Sequence, residues 1–228
     1  MNSILFELEN LSYSYVDGGK KRIILEDLSY PFEKGKFYTI LGPSGSGKTT
    51  LLALASALDV PESGRVLFNG KDIRKIGYTR FRRNHMAIIF QKYNLTNYLT
   101  GVENVESSMM IIDKKIRGRK ELAYKILSSV GIQATKANRR VTNLSGGEQQ
   151  RVAISRALAK DVDLILADEP TGALDTATSI EVVDLFKRLA HDYGKTIIVV
   201  THSDDVARSS DIAIKLHNGK LVPLNTLY

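Results

Sequence analysis

The apolar residues of this chain come in short uninterrupted runs set between polar turns. FYTIL (37–41), AIIF (87–90), the LILA of DLILA (163–167) and TIIVV (196–200) contain no charged position. A strand without polar alternation is covered on both faces, as in a parallel sheet. RIILEDLSYPF (22–32) reads as a further strand. Helical stretches stand between these runs. TTLLALASAL (49–58) is one, RVAISRALA (151–159) places Ile154 and Leu158 at i, i+4, and residues 101–140 lean helical. TATSIEVVDLFKRLAHDYG (176–194) is amphipathic and ends on Gly194. Asn69-Gly70 and Asn218-Gly219 each sit between apolar runs and predict hairpins. The alternation predicts an α/β fold with a mostly parallel sheet, and the hairpins predict an added antiparallel portion.

One helix start is unusual. In LSGGEQQ (144–150), Ser145 is a good N-cap and Glu148 completes an S-x-x-E capping box. Gly146 and Gly147 follow the cap, although glycine costs up to about 1 kcal/mol relative to alanine inside a helix. The capping box does not account for two residues without a Cβ. A helix N-terminus stripped of side chains exposes N–H groups to an anion.

A phosphate is the anion that the rest of the chain suggests. GPSGSGKT, Gly42–Thr49, matches G-x-x-x-x-G-K-[ST] after a strand and before a helix. Chance supplies such a match in about one chain in a hundred of this length. Gly42, Pro43, Ser44, Gly45, Ser46 and Gly47 form the candidate cradle, with Thr50 just beyond it. Lys48 supplies charge to the β- and γ-phosphates, and the Thr49 hydroxyl is placed for Mg²⁺. LILADE (164–169) ends an apolar strand in two acids, which a parallel sheet delivers to its ligand edge. Asp168 is the candidate Mg²⁺ contact. Glu169 is the candidate general base for water attacking the γ-phosphate. His202, just past TIIVV, is a candidate γ-phosphate contact at the same edge.

The order GPSGSGKT, LSGGEQQ, LADEP, Asp175 in GALD and His202 resembles an ATP-binding-cassette (ABC) ATPase subunit over essentially the whole chain. The resemblance implies a P-loop NTPase core at about 1–90 and 160–228, carrying an N-terminal antiparallel β portion. It also implies an α-helical subdomain at about 91–159 that ends in the signature helix. Tyr15 would stack on adenine, and Gln91 would sense Mg²⁺ and the attacking water. Ser145, Gly146, Gly147 and Glu148 would bind the ATP of the opposite subunit in a head-to-tail homodimer, with Asp175 alongside. ADEPTGALD, LTGVENV and EQQRVAISRAL are similar to the branch of lipoprotein-release, macrolide-efflux and antimicrobial-peptide transporters.

Charge and composition then narrow the setting. The chain has 228 residues, no cysteine and a formal net charge of +7. Residues 71–140 carry 16 Lys and Arg against 5 Asp and Glu, clustered in RFRRNH, KKIRGRK and KANRR. Cysteine-free composition excludes a disulfide framework or thiolate metal site. The longest stretch without a charged residue is 11 residues, against the roughly 20 that a spanning helix needs. The expected partner is therefore a transmembrane permease on a separate chain. The protein is expected in the cytoplasm, on the inner membrane face, with the basic stretch in the helical subdomain toward the anionic leaflet. DNA-repair and translation ATPases of the same superfamily carry a second cassette or long insertions, so no nucleic acid is expected. Signalling or scaffolding beside a membrane protein, without transport, is the alternative.

Overall fold

The computed structural model describes residues 3–112 and 116–224. The chain opens with a long hairpin, β1 (Ile4–Asp17) and β2 (Lys20–Glu33), and continues through β3 (Phe37–Leu41) into α1 (Lys48–Ala55). A second hairpin, β4 (Ser63–Phe68) and β5 (Lys71–Asp72), turns on Asn69-Gly70. Two short helices, α2 (Ile73–Ile76) and α3 (Tyr78–Asn84), precede β6 (Met86–Ile89). The helical layer follows as α4 (Gly101–Ile112), α5 (Arg119–Ser129), α6 (Ala134–Ala137) and α7 (Gly146–Leu158). Then come β7 (Leu164–Asp168), α8 (Thr176–His191), β8 (Thr196–Thr201), α9 (Asp204–Ser209), β9 (Ile212–His217) and β10 (Lys220–Pro223).

Two sheets form. One is antiparallel, in the order β2-β1-β4-β5. The other runs β10-β9-β3-β8-β7-β6 and is parallel except for β10. Both Asn-Gly turns have positive φ at both residues, the conformation that matches strand twist in a two-residue hairpin. The late hairpin differs from expectation in one respect. It closes the edge of the parallel sheet and is not a member of the antiparallel one, because β9 pairs in parallel with β3.

The uninterrupted apolar runs follow from burial on both faces. Tyr38, Ile40, Leu164, Leu166, Ile198 and Val200 point into a core shared with α1 and the antiparallel sheet. Their alternates Phe37, Ile165, Ala167, Ile197 and Val199 point into a second core under α7 and α8. Strand geometry sends successive side chains to opposite faces, so each position needs an apolar residue. Val105, Met109 and Leu127 of the helical layer join the second core.

The basic stretch divides between these regions. RFRRNH lies around α3, whose Phe81 packs on Phe68 of β4 with ring centroids 5.6 Å apart. This cluster therefore sits on the sheet side, not in the helical layer. Lys114 and Lys115 of KKIRGRK lie outside the described residues. KANRR spans the end of α6 and the turn after it.

Gly64 has φ +83°, and a Cβ there would overlap the carbonyl oxygens of Glu9 and Asn10 on β1. Gly64→Ala is expected to cost about 1–3 kcal/mol and lower Tm by roughly 2–12 °C. Thermal unfolding checks this, and nucleotide affinity of the folded fraction should not change.

Candidate functional site

Register sets the site. Val200 of β8 lies beside Ile40 of β3 on one side and beside Asp168 of β7 on the other. The three strands therefore end level. Two hydrogen bonds carry the ladder one step further, from Gly42 N to Thr201 O at 3.3 Å and from Glu169 N to Val200 O at 2.9 Å. The Gly42–Thr49 loop, the Asp168-Glu169 pair and His202 emerge side by side. They line one cleft of about 830 Å³ with Tyr15 and Gln91.

The loop has the shape of an anion cradle. Gly45 and Gly47 have φ of +79° and +98°, and nothing lies near a Cβ built on Gly45. Gly47 is also tight against β2, since its Cβ would come within 2.8 Å of Ile24 Cγ2. The Ser46 hydroxyl is buried in the loop without a hydrogen-bond partner among the described residues. Lys48 is buried and donates to the carbonyls of Gly42 at 2.7 Å and Pro43 at 3.1 Å. Its Nζ stands 3.7 Å from Glu169 Oε1. Thr49 and Thr50 open α1 on the cleft side.

Glu169 is held on several sides. Its Oε2 accepts from Thr201 Oγ1 at 2.8 Å and from His202 N at 3.3 Å, and His202 Nδ1 is 3.0 Å from Oε1. Its backbone has φ +44°, a left-handed conformation that costs a non-glycine residue on the order of 1 kcal/mol. The surrounding bonds hold it there and aim the carboxylate across the sheet edge. Burial raises the Asp168 carboxyl above the usual range; the Glu169 charge adds to this and Lys48 opposes it. Two adjacent carboxylates beside a threonine hydroxyl and a glutamine amide make an all-oxygen donor set suited to a hard cation. Asp168, Thr49 and Gln91 fit that role. No group of three or more His, Asp or Glu side chains that could hold a metal occurs among the described residues, so phosphate and water would complete the shell.

Tyr15 is half exposed, its ring 5.1 Å from Tyr13 at 82° and its hydroxyl 3.5 Å from Thr50 Oγ1. Tyr13 points away and donates to Asp59 at 2.5 Å, a bond that raises its own pKa. Tyr15 is thus the aromatic that the cleft offers.

The signature residues lie elsewhere. Ser145, Gly147 and Glu148 line a second cleft of about 930 Å³ that shares no lining residue with the first among the described residues. The capping box forms, with Ser145 N donating to Glu148 Oε2 at 3.0 Å and Glu148 N donating to Ser145 Oγ at 3.3 Å. Lys136 sits 2.5 Å from Glu148 Oε1 and holds that carboxyl below its usual range. The two glycines also have a reason within the chain. A Cβ on Gly147 would overlap Thr178 of α8, and one on Gly146 would reach Tyr93 Oη at 3.0 Å. Asp175 caps α8, accepting from Thr178 N at 3.0 Å and Thr178 Oγ1 at 2.6 Å, and lines neither cleft. Sequence reading did not single out Thr201 or Arg22. Thr201 follows the apolar run Ile197–Val200 at the C-terminal end of its strand, which was the available signal. Arg22 gave none, since its position opposite Tyr15 depends on strand pairing.

The fold and the cleft together define a P-loop ATPase. The ABC transporter profile matches residues 25–172, and the chain belongs to the ATP-binding subunits of that family, which hydrolyse ATP. It is 46% identical over 215 residues to the uncharacterized ABC transporter ATP-binding protein YclH of Bacillus subtilis, covering 94% of each chain. It is 37% identical to the macrolide export ATP-binding/permease protein MacB of Vibrio parahaemolyticus, covering 97% of this chain and 34% of that protein. Among solved structures, a dimeric post-hydrolysis state of the cassette MJ0796 bound to ADP and Pi matches with a TM-score of 0.88 and 36% identity. That match covers 95% of this chain and 96% of the other. MJ0796 is from Methanocaldococcus jannaschii.

Base stacking on an aromatic is worth roughly 1–3 kcal/mol. Tyr15→Ala is expected to weaken ATP binding about tenfold or more and Tyr15→Phe to change it little, measured by calorimetric titration. Unchanged affinity in the alanine variant would place the base elsewhere.

Proposed function

We propose that the chain binds ATP as one half of a head-to-tail homodimer and drives a transmembrane permease. One observation carries this reading. The phosphate loop and the signature helix occupy separate clefts with no common lining residue, so the signature of one copy completes a site only on another. The dimeric MJ0796 structure bound to ADP and Pi supports pairing of two copies.

In this reading, backbone N–H groups of the loop and Lys48 hold the phosphates, and Tyr15 stacks on the adenine. Ser145, Gly146 and Gly147 of the partner copy present their helix N-terminus to the γ-phosphate, with Glu148 fixing the cap and Asp175 bracing α8 beside it. Mg²⁺, held by Thr49, Asp168 and Gln91, would neutralise phosphate charge. Glu169 accepts the proton of the attacking water. Thr201 and His202 fix its carboxylate, and His202 stands ready to reach the γ-phosphate from the same strand end.

The permease is a separate polypeptide in this proposal, which places the chain on the inner face of the cell membrane. No helix among the described residues is long and apolar enough to cross a membrane. The match to one-third of the macrolide export protein MacB supports export as the task, with a drug, peptide or lipoprotein as the cargo in this proposal. Co-purification of a membrane protein identifies the permease.

Two outcomes test the mechanism. Glu169→Gln keeps the size of the side chain but cannot accept a proton. Turnover should fall about 10²- to 10⁴-fold, while ATP binding persists and an ATP-bound dimer accumulates on light scattering. The second test is complementation in trans. On a Glu169→Gln background, Lys48→Ala and Ser145→Arg chains should each fail to associate in Mg-ATP. Mixed, they should cross-link, since one of the two composite sites is then intact. No recovery between folded chains would count against the head-to-tail arrangement.

A further inference from the structure

Arg22 is a cation in the nucleotide cleft that the proposed mechanism leaves without a task. It lies on β2 directly opposite Tyr15 on β1, and both residues line the cleft. Directly paired residues on neighbouring antiparallel strands project to the same face, with Cβ atoms about 5 Å apart. A base stacked on Tyr15 is therefore within reach of the Arg22 guanidinium. Val16 and Ile24 line the same cleft and give the base an apolar seat. Arg22 is exposed, and no hydrogen bond or ion pair to a described residue occupies it.

Arg22 also borders the phosphate loop, lining a neighbouring pocket with Pro43, Ser44, Gly45 and Ser46. Lys48 is buried against the Gly42 and Pro43 carbonyls and Glu169, whereas Arg22 is exposed on β2 opposite the aromatic. A planar guanidinium with several donors matches two adjacent acceptors. Guanine offers such a pair at O6 and N7. Adenine offers N7 beside the N6 donor, so it satisfies one bond and opposes the other. Stacking on tyrosine is tolerant of base identity. Discrimination must therefore come from a group at the base edge, and Arg22 is placed to be that group.

We propose that Arg22 is a specificity-determining residue that donates to the edge of the bound purine and widens the site from adenine toward guanine nucleotides. The inference rests on the reading that Tyr15 stacks the base.

Mg-ADP and Mg-GDP are the probes, titrated calorimetrically into the whole chain, because neither is hydrolysed. A bidentate arginine–guanine pair corresponds to about 5- to 150-fold in affinity. Arg22→Ala should weaken GDP by that order and ADP less than about threefold. Arg22→Lys keeps the charge but not the fork, and should also lose GDP selectively. Equal losses for the two nucleotides would overturn the inference, because Arg22 would then serve the phosphates or stack without regard to base. Unchanged binding of both would overturn it as well. Tyr15→Ala separates the two levels. Loss of both nucleotides in that variant, together with a uniform Arg22 effect, rejects the inference alone. Unchanged binding in Tyr15→Ala rejects the base site and the inference with it.

Discussion

The chemistry depends on the level ending of three parallel strands. Val200 pairs with Ile40 and Asp168 at once, and the ladder extends through Gly42 and Glu169. A parallel strand shifted by one residue would turn its apolar side chains to the opposite faces. Both cores are filled by alternate residues of the same strands, so packing holds the register. The loops that leave the strands then have little freedom in where they start. The placement of polar groups at the edge is a consequence of hydrophobic packing along the same strands.

That edge concentrates charge in a partly dry space. Lys48 is buried and Glu169 nearly so, and a second acid, Asp168, is adjacent. Burial of like charges costs free energy unless cations or donors offset it. The chain supplies Lys48, Thr201 and His202. The nucleotide and its metal ion would bring both the missing negative and the missing positive charge. Lys48 lies between the cradle carbonyls and the candidate base, so a ligand that draws on it would alter the surroundings of Glu169.

The signature helix shows how one residue type can answer two constraints. Gly146 and Gly147 leave the helix N-terminus bare, which suits an anion from outside the chain. They also admit Tyr93 and Thr178 from within it. Thr178 bonds to Asp175, so α7 and α8 meet at a point where a methyl group would not fit. Close packing of the two helices sets the position of the bare N-terminus. The steric role and the proposed binding role would therefore support each other.

The amino-acid sequence by itself determined the α/β class, the buried strands, both Asn-Gly hairpins and the capping box. Each is written in neighbouring residues, through side-chain period, turn chemistry or short-range hydrogen bonds. It also singled out Gly42–Thr49 through the spacing of its glycines, lysine and threonine, and the two acids and His202 through their place at the ends of apolar runs. Tertiary structure decided what depends on contacts between distant segments. It joined the late hairpin to the parallel sheet through β9 and β3, and it put RFRRNH on the sheet side through Phe81. Gly147 faced Thr178, 31 positions further along the sequence, and Arg22 came to stand opposite Tyr15. Tertiary structure also kept the signature out of the nucleotide cleft of its own chain. Local pattern specifies elements because neighbouring residues share one backbone geometry. Which elements touch is settled only when the apolar faces are buried together.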